Sequence, residues 1–306
     1  MRILFAGTPE TAIPSLRRLV ADHDVVGVLT RAPAPVGRKQ VLTKSPVHVA
    51  AEELGLPVLT PRTLKDPEAA AQIAAFEPDA IAVVAYGLLI PANLLDVPTH
   101  GWINLHFSKL PRWRGAAPVQ YAIAAGDPVT GTATFVIEAG LDTGDVIDVE
   151  DYAIPDDATA ADVLATLAES GAAQLSRTLT ALENGTAVLT PQAGDPTLAP
   201  RLTSADSRVD WTQPADVVAN RIRAFTPEPG PWTQTDDGLR VKLGVVRASA
   251  ETGLAPGEIR AGKKVFVGTG TAAVELTTLA PAGKKTMNAA DWLRGIPTTP
   301  RFEAER

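Results

Sequence analysis

Apolar runs too short for helices punctuate the first half of the chain at fairly regular intervals. "RILFAG" (2–7), "VVGVL" (25–29), "PVL" (57–59), "AIAVVAY" (80–86) and "WINLHF" (102–107) read as strands. Several are apolar at almost every position, as strands covered on both faces must be. Helical patterns lie between them over 10–21, 46–54 and 67–76, each behind a cap residue and a proline: Thr8-Pro9, Ser45-Pro46 and Asp66-Pro67. Strand–helix alternation of this kind predicts a parallel sheet with right-handed crossovers. "TATFVIE" (132–138) and "GDVIDVEDYAI" (144–154) add a hairpin, and a long helix is expected over 159–184.

Periodicity then fails. Residues 185–206 carry three prolines and two glycines, which makes this stretch the linker candidate. Beyond it one helical segment (214–225) precedes short strands at 239–248, 257–262, 264–270 and 272–283, the pattern of a small β-barrel. The expected class is therefore α/β, with a mostly parallel sheet domain over 1–188, a linker over 189–206 and a smaller barrel over 207–306.

Composition narrows the functional classes. The 306 residues include no cysteine, which removes disulfides, thiolate nucleophiles and Cys-ligated metals and fits a reduced, cytoplasmic setting. No apolar run reaches membrane-spanning length, and "MRILFAGTPE" breaks too early for a signal peptide. The net charge of −7 is unevenly spread: residues 207–306 sum to +3 and residues 1–206 to −10. A basic second part permits a polyanionic partner in an acidic protein.

The opening "FAGTPETA" has one glycine, so the dinucleotide fingerprint fails, and there is no phosphate-binding loop signature. An open parallel sheet still places its ligand crevice beyond the carboxyl ends of its strands, and Asn104 and His106 sit at such an end. Residues two apart on a strand share a face, so an amide and an imidazole project side by side, a pairing suited to a developing oxyanion and a moving proton. Spacing alone equally describes a polar pair satisfied at a strand end, the commoner arrangement. "GLDTGD" (140–145) brackets Asp142 between glycines; it is an ordinary turn composition, but a carboxylate near a histidine can fix its tautomer and favour imidazolium. The loop "RAPAPVGRKQVLTKSP" (31–46) holds Arg31, Arg38, Lys39 and Lys44 without an acidic residue. Such a loop is usually just solvated, yet nucleic-acid binding needs charge of this kind beside a site.

Taken together, "INLHFSKLPRWRGAAPVQ", "GLDTGD", "VVAYGLLIP" (83–91), "SRVDW" (207–211) and "PAGKKTMNAADWL" (281–293) resemble the methionyl-tRNA formyltransferases, a branch of the folate-dependent formyltransferases. The similarity runs from Met1 to near the C-terminus. It implies a Rossmann-like domain followed by an OB-like barrel that holds tRNA. It also implies transfer of a formyl group from 10-formyltetrahydrofolate to the methionine amine of initiator methionyl-tRNA. By position Asn104, His106 and Asp142 match the family's catalytic trio. Ser108, Lys109, Leu110 and Pro111 match its folate-contacting segment, and loop 31–46 one that reaches the end of the acceptor stem. Arg38, Lys39 and Lys44 in that loop, with Lys284 and Lys285 in the barrel, are the expected tRNA contacts. No metal and no membrane are implied, and a monomer is expected. Phe107 replaces a usual glycine, Lys109 a usual leucine, and Lys39-Gln40-Val41 stands where the family tends to Gly-Lys-Lys. Two rivals stay open: a formyltransferase acting on a sugar nucleotide or purine precursor, and a non-catalytic RNA-binding module on the same fold.

Overall fold

Seven strands form the central sheet: β1 (Arg2–Gly7), β2 (Asp24–Leu29), β3 (Val58–Leu59), β4 (Ala80–Val84), β5 (Trp102–His106), β6 (Val129–Val136) and β7 (Val146–Ala153). A computed structural model describes residues 1–37 and 39–305; Arg38 of the basic loop lies outside them. The spatial order is β7-β6-β5-β4-β1-β2-β3. β1 pairs in parallel with β2 and β4, β4 with β5 and β2 with β3, whereas β5 and β6 run antiparallel. The expected mostly parallel sheet with added outer strands is what the chain adopts. The strand order reverses between β1 and β4, the place where such sheets hold ligands.

The chain divides into two compact units. The first comprises 1–116, 130–152 and 164–199; the second comprises 117–129, 153–163 and 200–306. In the first unit β1 and β4 are buried almost throughout, because helices cover both faces. Leu4, Ile81, Val83, Leu94 and Trp102 pack together on one side, and the indole N–H of Trp102 is satisfied by the Leu94 carbonyl at 2.7 Å. On the other side the helix Ala160–Glu183 crosses β5. A Cβ at its Gly171 would lie 2.8 Å from Leu105, so a glycine lets that helix approach the strand closely. Leu105 therefore points into the helix layer, and Asn104 and His106 must project from the opposite face.

Ser45 and Asp66 cap their helices as expected, accepting from the His48 and Glu68 amides, each at 3.0 Å. Thr8 does not. The chain first makes a tight turn over Glu10–Ala12, the helix starts at Ile13, and the Thr8 hydroxyl donates instead to the Tyr86 carbonyl at 2.7 Å. Thr8 thus ties the ends of β1 and β4 together.

The second unit is built on two four-stranded sheets that share continuous chain. The single strand expected over 239–248 is broken into Arg240–Leu243 and Val246–Ala248, and that over 272–283 into Val274–Leu276 and Thr278–Pro281. Gly244 explains the first break. A Cβ there would lie 2.0 Å from the Thr278 hydroxyl, so only glycine lets the chain bend from one sheet to the other. Trp211 and Phe302 stack at 5.5 Å inside the resulting core. The helix Ala215–Ala224 sends Arg223 to the carbonyls of Pro155 and Ala158 at 3.2 and 3.1 Å. Among the described residues no helix is long and apolar enough to cross a membrane.

Candidate active site

His106 ends β5 with only 5% of its surface exposed. Its Nε2 lies 2.9 Å from the carbonyl oxygen of Trp113. A carbonyl can only accept, so Nε2 carries the proton and the neutral ring keeps its lone pair on Nδ1. That nitrogen faces Asp142, whose Oδ2 is 3.9 Å away. This is a charge–charge distance rather than a hydrogen bond. The tautomer is thus fixed by Trp113, a residue absent from the expected trio, while Asp142 supplies the charge. Burial holds the His106 imidazole below its ordinary value of 6.5, and the Asp142 carboxylate and Trp113 carbonyl pull against that shift without reversing it. The edge of His106 meets the Phe135 ring at 6.2 Å on β6. Asn104, two residues back on the same face, is half-buried, and its side-chain amide has no hydrogen-bond partner among the described residues.

Two loops close on this pair. Residues 108–115 turn sharply after the strand. The Ser108 hydroxyl donates to the Arg112 carbonyl at 2.7 Å, so it is spent inside the turn. The Lys109 ammonium is held by Asp151 at 2.7 Å. Leu110 and Pro111 are half-buried, and the Pro111 carbonyl accepts from the Thr197 amide at 3.3 Å. The Gly115 N–H donates to Asp142 Oδ2 at 2.7 Å, which fixes the carboxylate as a charge-assisted acceptor. In the second loop, a Cβ on Gly144 would lie 1.8 Å from the Val136 carbonyl oxygen, so the loop can press onto β6 only with glycine there. Trp113 and Asp142 both hold left-handed backbone, with φ of 65° and 51°. Such strain costs about 1–3 kcal/mol per residue and persists where the surroundings over-determine it. Here both residues are the partners of His106.

The surroundings come from an unexpected stretch. Residues 190–199, inside the segment read as a linker, run along both loops. Thr190 bridges Val146, Thr197 Oγ1 accepts from the Trp113 amide at 2.8 Å, and Leu198–Ala199 pairs in parallel with Arg114–Gly115. Gln192 takes the Arg114 guanidinium on its oxygen at 3.1 and 2.7 Å, and donates to the carbonyls of Asp142 and Gly144 at 2.8 and 2.9 Å. Composition gave no sign of this, since prolines and glycines carry no periodic signal and all of these contacts except the two from Arg114 to Gln192 involve main chain.

The other candidates lie elsewhere. Arg38 is outside the described residues. Within the basic loop, Ala34–Val36 pairs with Val41–Thr43 as a short hairpin, and both strands are exposed at each of their residues. Lys39 is exposed on it, whereas the Lys44 ammonium is bound by both Glu52 oxygens at 2.6 and 2.7 Å. Lys284 and Lys285 follow the strand Thr278–Pro281 in an exposed turn of the second unit. In that unit Arg240 stacks on Trp232 at 3.8 Å, with Arg208 at 5.5 Å from the same ring.

An amide without a partner among the described residues and a buried, tautomer-locked histidine at the carboxyl end of a parallel strand, with a fixed carboxylate facing the histidine, form a polar acid–base site. The chain belongs to the formyl transferase family: the model for the formyl transferase domain matches residues 1–179, and that for the C-terminal domain residues 201–297. Its full-length relatives include methionyl-tRNA formyltransferases. That of Arthrobacter sp. (strain FB24) is 56% identical over 298 residues, covering 96% of this chain and 97% of its own length. That of Rhodococcus erythropolis (strain PR4 / NBRC 100887) is 53% identical over 309 residues, covering 100% and 99%. Among solved structures, an N-formyltransferase from Helicobacter canadensis in complex with folinic acid and dTDP-3-aminofucose superposes with a TM-score of 0.67 at 18% identity, over 90% of this chain and 98% of that one. That likeness is one of fold.

Proposed function

We propose that this chain transfers the formyl group of 10-formyltetrahydrofolate to the α-amine of methionine on initiator methionyl-tRNA, as a cytoplasmic monomer. The observation that carries the chemistry is the pairing of a free Asn104 amide with a His106 whose Nδ1 is left unprotonated and faces a carboxylate. The relatives' identity over the full chain supports the acceptor.

The formyl donor supplies an electrophilic carbon whose oxygen gains negative charge as the amine adds. Asn104 donates its side-chain N–H to that oxygen. One such donor is worth about 3–4 kcal/mol. His106 takes the amine's proton on Nδ1, where Asp142 Oδ2 offsets the new charge, and returns it to the folate nitrogen that leaves. A carbon–nitrogen bond forms at the methionine amine, one breaks at the folate, and the proton count is unchanged. General-base help of this kind is worth about 10²–10⁴-fold. The turn 108–111 fits the donor as a wall: with the Ser108 hydroxyl and the Lys109 ammonium already engaged, its contacts to folate are main-chain ones and those of Leu110 and Pro111. Residues 1–188 would carry the reacting groups, with the strap 190–199 holding their loops, and residues 207–306 would grip tRNA through Lys284 and Lys285. Arg38, Lys39 and Lys44 of the loop 31–46 would meet the acceptor end, Lys44 by exchanging Glu52 for phosphate.

Incubation with 10-formyltetrahydrofolate and charged initiator tRNA, alongside an amino-sugar nucleotide and free methionine, tests the proposal. Formylmethionine on tRNA alone is the expected product. Preferential formylation of the sugar would transfer the assignment to the other branch of the family.

A further inference from the structure

The strap 190–199 raises a question about Gln192. Its amide has four hydrogen-bonding positions, and all are used: the oxygen accepts twice from Arg114, and the nitrogen donates to the Asp142 and Gly144 carbonyls. A guanidinium on one side and two carbonyls on the other leave no choice of amide orientation. Arg114 lies between the two residues that matter in the turn. Trp113 holds His106 through its carbonyl and Gly115 holds Asp142 through its amide. Thr190 and Leu198–Ala199 anchor the strap on either side of Gln192. The half-buried glutamine therefore joins the loop carrying the carboxylate to the turn carrying the tautomer lock, and both of those hold strained backbone.

We infer that Gln192 is a positioning residue for formyl transfer, setting the Asp142 carboxylate against His106 by locking the 140–145 loop to the Arg114 turn. The inference rests on the roles proposed above for His106 and Asp142. Without the lock, the strained Asp142 backbone relaxes and the carboxylate leaves its place 3.9 Å from Nδ1. Misplacements of this order cost up to about 100-fold in rate, with little effect on substrates bound elsewhere.

The test uses the full chain with Gln192→Ala and Gln192→Met, the second keeping the side-chain volume should the first fold poorly. Single-turnover transfer at saturating substrates should fall about 10- to 100-fold in both, with KM for tRNA and for the folate within twofold of wild type. In an Asp142→Asn background, either Gln192 change should add almost nothing, because residues acting as a unit are non-additive. A merely structural glutamine would lower the rate independently of Asp142 and raise both KM values. Full additivity, or wild-type rates in both Gln192 variants while Asp142→Asn is impaired, would overturn this inference alone. Wild-type rates in Asp142→Asn and His106→Ala would overturn the reading of the site and this inference with it.

Discussion

His106 is the residue on which most of the proposed chemistry turns, and its environment sets a pH dependence. The ring acts as a base only when neutral, and burial depresses its protonation relative to the ordinary value of 6.5. The rate therefore rises with pH through a limb lying below 6.5, and kcat/KM reports it for the free enzyme. Removing the charge that pulls the other way, by Asp142→Asn, should move that limb further to acid. It should also cut the rate by at least about 100-fold, since an amide accepts the Gly115 N–H yet cannot offset an imidazolium. A pH–rate profile for both proteins checks direction and size together; an unmoved limb would separate Asp142 from His106. Asn104, His106 and Asp142 stand out in the sequence as candidates through a two-residue period and a glycine-bracketed aspartate, and as a trio only through the family resemblance. Trp113 does not, because its contribution is a carbonyl that any residue could supply. The relation between Asp142 and the ring also came out differently in kind: the carboxylate is a charge at 3.9 Å, and the tautomer belongs to the turn.

At the level of elements, the strands of the parallel sheet were legible to within two residues because burial on both faces leaves a nearly unbroken apolar run. Six of the eight strands in the second unit's two sheets fall within the expected apolar stretches, though not as bent ones, and Trp232–Gln234 and Met287–Asn288 lie outside them. The bend at Gly244 depends on where Thr278 lies, which no local pattern encodes. The strap 190–199 was illegible for the same reason: it borrows its order from Trp113, Arg114 and Asp142 rather than from a periodicity of its own. Gly115 is where strap, turn and loop converge. Its φ is +125°, and an added Cβ would lie 2.6 Å from the Ala199 carbonyl oxygen. Gly115→Ala should therefore cost about 1–3 kcal/mol of stability. It should also reduce transfer, because the amide that fixes Asp142 moves. Denaturant unfolding and a single-turnover assay read the two effects, and an unchanged pair would mean the turn is more pliant than its geometry implies. A further consequence is that cutting the chain at 190 would remove Gln192 and Thr197, so the catalytic half cannot be isolated there with its loops intact.

For the molecule as a whole, the net charge of −7 conceals a balance of +3 over 207–306, and binding of a polyanion must draw on that asymmetry. Affinity for tRNA should fall steeply with salt. Replacing Lys284 and Lys285 by alanine should weaken binding and flatten the slope of log affinity against log salt by about 1 for each phosphate no longer neutralised; fluorescence titration at several salt concentrations measures both. An unchanged slope would return the two lysines to the status of a solvated pair. Binding and chemistry separate most cleanly at the strand end. In the proposed mechanism Asn104 and His106 act on charge that exists only in the transition state, so the most direct measurement is the single-turnover rate of formyl transfer to methionyl-tRNA by Asn104→Ala and His106→Ala, made beside their tRNA affinities. Each variant should lose at least about 100-fold in rate with affinity nearly unchanged. A rate within a few-fold of the unaltered chain, in either variant, would contradict the roles given to this pair.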